Sequence, residues 1–418
     1  MDQCQSNGRL LAFSVLQGLI PSVILITTPK QSVIRYLSIP CMIWIVYHMM
    51  YPIQKPGYTS TNFLGSSATF VLTALDILLI NPQAGRDFAH ANGNTKSFFS
   101  RLIEAVPLVT CTRAVNTPRQ VKNVPPFPAY YTKRDPKVIP RGRFLVRETA
   151  IAAWQFLALD IYSVLASRQA INVQDKEVSI SSGLWNIPGR AWRAQAVQTL
   201  ITWLFVSRIL LSFYYRVASI IFVSLGDSPS NSPPMIGRMA DIYTLRNFWG
   251  KFWHQMLRLP LTSTSNFLAR DILGLPRSSF VERYTNVFIV FFFSGLIHVV
   301  LDSLRNVSPW KFGTMSFFLS FVVGYMIEDG VQALWKRTPG SQNNVSLLAW
   351  WQRALGFCWV TTWLGVTSPW YFRSAMLKPE EQMVLVPVSI AGLISLPVLG
   401  SMVIGGGLVL KFVFEGEV

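Results

Sequence analysis

The sequence predicts an all-α membrane protein, a multi-spanning bundle of about eight to ten transmembrane helices. Of its 418 residues, 51% are hydrophobic and only 14% are charged, whereas soluble domains carry about a quarter charged residues. Several apolar runs approach the roughly 20 residues that cross the hydrocarbon of a bilayer. The runs are long and do not alternate with polar residues, which argues against strands.

Nine apolar runs are the predicted spans. They lie at 9–28, 34–53, 62–80, 148–167, 197–225, 285–304, 312–328, 345–366 and 384–413. We expect the first run to be a span rather than a cleavable signal, because only Arg9 precedes it and no small-residue cleavage pattern follows. The last run contains Pro387, Pro397 and three glycines at 405–407, and is predicted as one helix or two short ones. No internal repeat is visible, so residues 1–418 are predicted to form a single domain.

Positive charge is concentrated in two long loops. The chain has 37 Lys and Arg against 20 Asp and Glu, a net charge of +17. Loop 81–147 holds twelve basic residues and three acidic ones, Asp87, Glu104 and Asp135, and loop 226–284 holds seven basic and four acidic residues. Two spans separate the loops, so they lie on one side, which the positive-inside rule makes cytosolic. Such loops suit anionic lipid and an anionic substrate.

The second loop contains an aromatic and basic segment, residues 245–255, which reads LRNFWGKFWHQ. Bulky apolar residues recur there at i, i+4 and i+8, which predicts a helix over 243–259 that ends near Pro260. These residues are Trp249, Trp253 and Leu257, and the basic residues on the other faces are Arg246, Lys251 and Arg258. We expect this helix to lie in the membrane interface with its indoles at headgroup depth.

The span 285–304 contains the run FFFSGLIH, which ends in His298. A polar ring inside a bilayer is costly and is a functional-site hypothesis by default. An imidazole titrates near neutrality and can take a proton from a hydroxyl in a dry pocket. Ser294 lies one turn earlier on the same face, and Gly295 permits close approach of a helix or ligand. The alternative is a neutral core histidine bonded to a backbone carbonyl.

Other ionisable residues have structural alternatives. Asp76 and Asp160 lie inside spans, where they line a polar tunnel or, as we favour, pair with a buried arginine such as Arg208 or Arg216. His254 either faces headgroups or orients a substrate in a pocket.

Several chemistries are excluded. Four histidines, none paired with another at helix spacing, exclude a di-iron desaturase. The chain has no Gly-x-Ser-x-Gly and no Walker loop. Its four cysteines are scattered without a CxxC, so neither a disulfide framework nor a metal site is predicted.

The two motifs, in this order and at this spacing, resemble the wax-synthase-like branch of the membrane-bound O-acyltransferases. That family has Arg-(Asp or Glu)-Phe-Trp-Gly-x-x-Trp-His-Gln, matched by 246–255, and Phe-x-x-Ser-Gly-x-x-His in a span, matched by 291–298. Further matches are Glu328, Asp329, Gln332, Trp335, Arg353, Gly356, Trp359, Val360 and Trp363. The motif-bearing core covers roughly residues 230–370. Asn247 stands where the family often has an acid, so we assign it no proton-transfer role.

The resemblance implies an acyl-CoA-dependent O-acyltransferase that moves an acyl group onto an alcohol, with no permanently bound cofactor. His298 is the expected general base, and His254 is the second expected catalytic residue. The deprotonated oxygen attacks the thioester directly and coenzyme A leaves, without an acyl-enzyme or a metal. Substrate-binding roles are expected of Arg246, Asn247, Trp249, Lys251, Trp253, Ser294 and Glu328.

The chain is closer in layout to fungal acetyltransferases of secondary metabolism than to plant wax synthases. The resemblance therefore favours acetyl-CoA as donor, a terpenoid or meroterpenoid alcohol as acceptor, and the endoplasmic reticulum membrane as location. We expect Phe291, Phe292 and Phe293 to line the acceptor pocket around His298. The alternatives are a long-chain wax-ester or sterol-ester synthase, a proton-coupled transporter, and a non-catalytic scaffold.

Overall fold

The fold is a set of long α-helices, as seen in a computed structural model. It describes residues 3–50, 58–83, 90–91, 94–95, 97–132, 139–174, 189–303, 313–337, 350–376, 385–386, 388–391 and 393–414. Asp87, Asp135 and Pro387 lie outside what is described. So do residues 51–53, 304, 312, 345–349, 384 and 392 of the predicted spans, and the side chains of residues 50, 62–64, 167 and 396.

Fourteen helices are described. In the first half of the chain they are α1 (Gln3–Thr27), α2 (Val33–Met50), α3 (Tyr58–Leu75), α4 (Phe98–Thr110), α5 (Ala129–Thr132), α6 (Arg141–Gln174) and α7 (Gly189–Ile201). In the second half they are α8 (Arg208–Ser224), α9 (Leu245–Asn247), α10 (Arg258–Asn266), α11 (Phe280–Ser303), α12 (Thr314–Arg337), α13 (Trp350–Met376) and α14 (Leu396–Phe414).

Shorter elements complete the described structure. Four π-helical segments extend α3, α7, α9 and α10, and they are Asp76–Ile80, Thr202–Ser207, Phe248–Phe252 and Phe267–Ile272. Two 3₁₀ turns lie at Pro229–Asn231 and Met239–Asp241. A two-residue antiparallel ladder pairs β1 (His90–Ala91) with β2 (Asn94–Thr95).

Six described helices are long and apolar enough to cross a membrane, which confirms the predicted fold class. They are Gly8–Thr27, Arg141–Ala166, Ala196–Ser224, Phe280–Ser303, Thr314–Arg337 and Pro397–Phe414, and two shorter apolar helices are Val33–Met49 and Gly65–Ile80. Each overlaps one of the predicted runs, although Arg141–Ala166 begins before its run and Thr314–Arg337 ends after its run. The 27-residue α13 covers most of the remaining run, 345–366. The protein is therefore a multi-pass membrane protein.

The chain divides into two compact units, the first made of residues 1–121 and 256–323 and the second of residues 122–255 and 324–418. In the first unit, α1 packs against α2, α3 and α4, while α10 and α11 pack against α3. Its core is built from aliphatic residues of the four N-terminal helices, for example Leu25, Met42, Leu78 and Val109, all fully buried. Between membrane helices such side chains stabilise through close van der Waals packing, because lipid tails are as apolar as the side chains.

A buried carboxylate holds the end of α3 in this unit. Asp76 has no exposed surface and forms an ion pair with Arg119 of the basic loop. It also accepts hydrogen bonds from Asn81 at 2.7 Å and Ser263 at 2.5 Å. Pairing of Asp76 with an arginine is thus correct, but the partner is neither Arg208 nor Arg216.

In the second unit, α6 packs against α8 and α14, and α7 packs against α13. Asp160 of α6 accepts the backbone N–H groups of Ile390 at 2.8 Å and Ala391 at 2.9 Å. The predicted arginine partner of Asp160 is therefore wrong within the described part of the chain, because its carboxylate instead holds the turn before α14. Backbone N–H donors also stabilise a buried carboxylate through charge-assisted hydrogen bonds.

The last apolar run contains one described helix, α14, and its three glycines do not break it. A Cβ at Gly406 or Gly407 would come within 3.3 Å of the Trp154 indole, which packs against this part of α14. The Trp154 N–H also donates to the Val403 carbonyl at 2.7 Å. The glycines therefore serve close packing of α6 against α14, as small residues do between membrane helices.

Candidate active site

The first motif begins at the short helix α9, and its N-terminus is capped from two directions. The Thr244 hydroxyl accepts the Asn247 N–H at 3.0 Å. The Glu328 carboxylate of α12 accepts the Leu245 N–H and, at 3.4 Å, the Arg246 N–H. The first N–H groups of a helix have no partner inside it, so these bonds fix where the motif starts.

The Glu328 carboxylate forms several hydrogen bonds that hold the first motif in place. The residue is 5% exposed, and its carboxylate also accepts the indole N–H of Trp359 at 3.0 Å. A buried carboxylate needs several such donors to offset its lost hydration. Glu328 was predicted to bind substrate, and its oxygens lie against donors of α9 and α13.

Arg246 forms an ion pair with Asp329, the residue after Glu328. Its Nη2 lies 2.5 Å from Asp329 Oδ2 and its Nε lies 3.3 Å from Oδ1, a two-point contact. The guanidinium carbon also sits 4.5 Å from the ring centroid of Tyr325. Paired carboxylate contact and cation–π contact both fix a guanidinium in place. Arg246, predicted to meet an anionic substrate, is thereby held by the protein itself.

Two glycines bring α12 and α13 against the start of the motif. A Cβ at Gly356 of α13 would overlap the Tyr243 carbonyl oxygen. A Cβ at Gly324 of α12 would lie 2.5 Å from Leu245 Cδ1 and 3.1 Å from the Trp363 ring. Both positions need a residue without a side chain because the neighbouring groups occupy that space. Gly356, which packs on Tyr243, and Trp359, which donates to Glu328, therefore support the start of the motif.

The predicted continuous helix over 243–259 is wrong. The π segment Phe248–Phe252 ends at Trp253, whose backbone is extended with φ −70 and ψ 156. Residues 253–257 have no helical structure, and α10 starts at Arg258. Pro260 lies in the first turn of this new helix, where proline is tolerated because its missing N–H would have had no partner.

The indoles of the motif pack into an aromatic cluster within the second unit. Trp253 is only 6% exposed and stacks on Phe248, with ring centroids 5.9 Å apart and an interplanar angle of 12°. Trp203, from the π segment after α7, meets Trp253 edge-on at 5.4 Å and Trp249 at 6.0 Å. Sequence analysis missed Trp203, because no spacing links it to a motif some 45 residues later.

The end of the motif is fixed by Gln255. Its side-chain N–H₂ donates to the carbonyls of Asn123 at 2.9 Å and Gly250 at 3.0 Å. His254, half-buried, lies in the non-helical segment with its ring 5.3 Å from Trp253. Lys251 is also half-exposed. The hydrogen bonds of Gln255 thus fix the backbone around Lys251 and His254.

The second motif lies on α11 in the first unit, where His298 is half-buried. Its Nδ1 lies 2.7 Å from the Ser294 carbonyl oxygen, and its ring lies 4.5 Å from the Phe318 ring of α12. A carbonyl only accepts hydrogen bonds, so Nδ1 carries the proton of the neutral ring. The lone pair of the neutral imidazole is then on Nε2, the arrangement that a general base needs.

Two neighbours of His298 fix how α11 packs. A Cβ at Gly295 would lie 2.9 Å from the Met315 sulfur and 3.2 Å from Phe318, so this glycine lets α12 approach. Phe291 shares the helical face of His298 and stacks on Phe321 at 5.3 Å. Phe292 and Phe293 lie six and five residues from His298, off that face. That all three phenylalanines line one pocket therefore stays a prediction, with Phe291 alone of the three on the helical face of His298.

The described contacts thus bring the predicted residues together in two groups. In the second unit they gather Arg246, Asn247, Trp249, Trp253 and Glu328, and in the first unit they join His298 to Ser294. Within the described ranges, no group of three His, Cys, Asp or Glu side chains is placed to hold a metal ion.

Comparisons with known proteins agree with these motifs. A model of the Membrane bound O-acyl transferase family matches residues 232–320. Acetyltransferase pyr8 of Aspergillus fumigatus is 36% identical over 426 residues, which cover 99% of this chain and 97% of that protein. Acetyltransferase atnC of an Arthrinium species is 35% identical, over 98% of this chain and 97% of its own. Acetyltransferase spyB of A. fumigatus is 35% identical, over 97% of this chain and 71% of its own.

The chain belongs to the membrane-bound O-acyltransferase family. It is an acyltransferase of the fungal acetyltransferase group, and the family implies an acyl-CoA co-substrate. Membership in this enzyme family argues against the transporter and scaffold alternatives. No solved structure is significantly similar to this membrane-bound O-acyltransferase.

Proposed function

We propose that the protein transfers an acetyl group from acetyl-CoA to the hydroxyl of a lipophilic acceptor, a terpenoid or meroterpenoid of secondary metabolism, in the endoplasmic reticulum membrane. In this proposal residues 1–418 act as one acyltransferase domain and roughly 230–370 carry its motifs. The observation that carries the proposal is the hydrogen bond from His298 Nδ1 to the Ser294 carbonyl at 2.7 Å. It leaves Nε2 as the basic atom of an imidazole within an apolar helix.

The chemistry follows from that base. His298 Nε2 takes the acceptor hydroxyl proton as the oxygen attacks the thioester carbonyl carbon. The tetrahedral intermediate collapses with cleavage of the C–S bond, and coenzyme A leaves as a thiolate. The imidazolium then returns its proton to the thiolate, so the enzyme is regenerated without a covalent intermediate. The Ser294 carbonyl dipole favours the imidazolium that forms, as a carboxylate does beside other catalytic histidines.

The motif of the second unit supplies the proposed substrate contacts. The motif residues with partly exposed side chains are Asn247, Trp249, Lys251 and His254. In this proposal they contact the substrates, and His254 orients a substrate. Trp253, Arg246 and Glu328 act on the substrates through the shape that they give to the motif, since their own contacts are to the protein.

An acetyl donor is favoured over a long-chain donor because the relatives are named acetyltransferases. An acceptor that reaches His298 from the bilayer must be apolar enough to dissolve there. A rigid polycyclic alcohol satisfies this condition, and the membrane limits its orientations in the site.

A competition experiment tests this proposal. Microsomes containing the protein receive acetyl-CoA and palmitoyl-CoA together with a terpenoid alcohol and hexadecanol, and products are identified by mass. We expect terpenoid acetate to dominate, and microsomes without the protein provide the control. Preferential formation of hexadecyl palmitate would contradict the acetyltransferase assignment in favour of a wax-ester synthase.

A further inference from the structure

The second unit contains a polar cavity whose lining includes no residue of either motif. It has a volume of about 50 Å³, room for about three water molecules. Residues of the Pro-rich segment before α6, of α6, of α8 and of the loop after α8 line it, for example Phe127, Glu148, Ser212 and Pro234. Three arginines, Arg147, Arg208 and Arg216, also line it.

The cavity has an excess of positive charge. Its lining contains three arginines and one carboxylate, Glu148, which gives the lining a net charge of +2. Tyr131 donates its hydroxyl proton to Glu148 at 2.8 Å. Burial raises the pKa of Tyr131, and the charge of Glu148 raises it further, so the phenol stays neutral at physiological pH. Charged side chains within membrane helices are rare and usually mark a function.

A structural network accounts for only part of this charge. Glu148 accepts from Arg147 at 2.7 Å and forms an ion pair with Arg216. The Arg147 side chain is 1% exposed, and its Nε and Nη2 have no hydrogen-bond partner within the described part of the chain. The Nε of Arg216 likewise has no hydrogen-bond partner within the described part of the chain. Buried donors without acceptors are costly, so a native site normally provides an acceptor for them.

We infer that this cavity binds a phosphate group. A phosphate supplies several acceptor oxygens and negative charge, which match the open guanidinium donors in number and sign. Two sources of phosphate are available to a membrane acyltransferase. One is the coenzyme A part of the donor, which carries a pyrophosphate and a 3′-phosphate and whose use rests on the proposed function. The other is the headgroup of an anionic lipid.

Binding measured on resting protein tests the inference without requiring acetyl transfer. The purified protein is placed in phosphatidylcholine nanodiscs, and its thermal unfolding is followed while coenzyme A or pantetheine is titrated. A parallel set of discs contains phosphatidic acid. Stabilisation by coenzyme A but not by phosphate-free pantetheine identifies the donor as the source, and stabilisation by phosphatidic acid alone identifies lipid.

Matched variants locate the site. Arg147→Gln should weaken binding of the phosphate-bearing probe about tenfold or more, the loss expected for one charge-assisted hydrogen bond. Arg143→Gln, one turn earlier on α6 and absent from the cavity lining, should bind as the unaltered protein does. Arg208→Gln keeps the Glu148 contacts of the other two arginines and should also weaken binding, so it decides the matter if Arg147→Gln does not fold.

Two results would overturn the inference. The first is that neither coenzyme A nor phosphatidic acid stabilises the unaltered protein. The second is that folded Arg147→Gln or Arg208→Gln binds the stabilising probe as tightly as the unaltered protein. A protein that binds a phosphate in this cavity yet transfers no acetyl group would refute the proposed function and leave the cavity site standing.

Discussion

The hydrogen bond to the Ser294 carbonyl fixes the tautomer of His298. This contact is compatible with a structural histidine and with a catalytic base. A structural histidine in a membrane helix satisfies its donor in the same way that a base fixes its proton. The spacing of Ser294 and His298 predicted that they share a face, and the structure adds the bond between them. The protein would fold with His298 in either role. The two roles are therefore distinguished by whether a His298 variant loses acyl transfer.

Replacement of the imidazole tests the base at the residue scale. His298→Ala should lower kcat about 10²–10⁴-fold, the usual contribution of a positioned general base. The KM for acetyl-CoA should change little, since the imidazole acts on the acceptor hydroxyl. Turnover by purified protein in nanodiscs is the measurement, and His254→Ala is the matched control with the smaller expected loss of kcat. A folded His298→Ala protein with normal turnover would leave His298 a structural residue.

Arg246 and Glu328 show what residue-scale prediction from sequence leaves out. Sequence identifies residue types, and an arginine or a glutamate in a motif is a fair candidate for contact with substrate. Their partners, Asp329 for Arg246 and the α9 N–H groups for Glu328, lie more than 80 residues away in the chain. No local pattern predicts which partner a charge meets, so the sequence could not predict that these two side chains also hold the motif.

At the scale of elements, the spacing of the bulky apolar residues predicted a continuous helix over 243–259 that the structure does not have. Trp249 and Trp253 recur at i and i+4, which is also the spacing of two indoles that pack in one core. The helix breaks at Trp253 because its indole turns onto Phe248 and Trp203. Helix propensity and periodicity are weak against such tertiary contacts. The long apolar runs, by contrast, were predicted well, because spanning a bilayer requires continuous helix.

Close packing of α13 on the motif gives a prediction at the same scale. Gly356→Ala would drive a Cβ into the Tyr243 carbonyl oxygen, so the backbone must move, at a cost of about 1–3 kcal/mol. We expect a lower thermal midpoint and a lower acetyl-transfer rate. Both are measured on the purified protein.

Gly365→Ala is the matched control on α13. A Cβ at Gly365 meets nothing within 4 Å, so alanine should be neutral or should stabilise the helix by about 0.5–1 kcal/mol. Equal behaviour of the two variants would mean that α13 does not support the motif through Gly356.

At the scale of the whole molecule, hydropathy and charge carry most of the predictable information. Apolar runs locate the spans, and the two basic loops set their orientation. Arg119 of the first loop forms an ion pair with buried Asp76. At least one positive charge of this loop therefore stabilises the fold in addition to any effect on membrane orientation. The cavity around Arg147 could not be predicted, because its arginines come from two spans that sequence alone does not pair.

The charge of the two loops gives a prediction for the whole chain, that both lie on the cytosolic side. Lys122 and Arg277 are exposed, one in each loop. In a background without the native cysteines, Lys122→Cys and Arg277→Cys should both react with an impermeant maleimide added outside sealed microsomes, because that face is cytosolic. Arg193→Cys, exposed before the span Ala196–Ser224, lies on the opposite face in the same scheme and should react only after the vesicles are opened. If Lys122→Cys and Arg277→Cys label from opposite faces, an odd number of spans separates the two loops, and the pairing of α6 with α8 as two successive crossings is wrong.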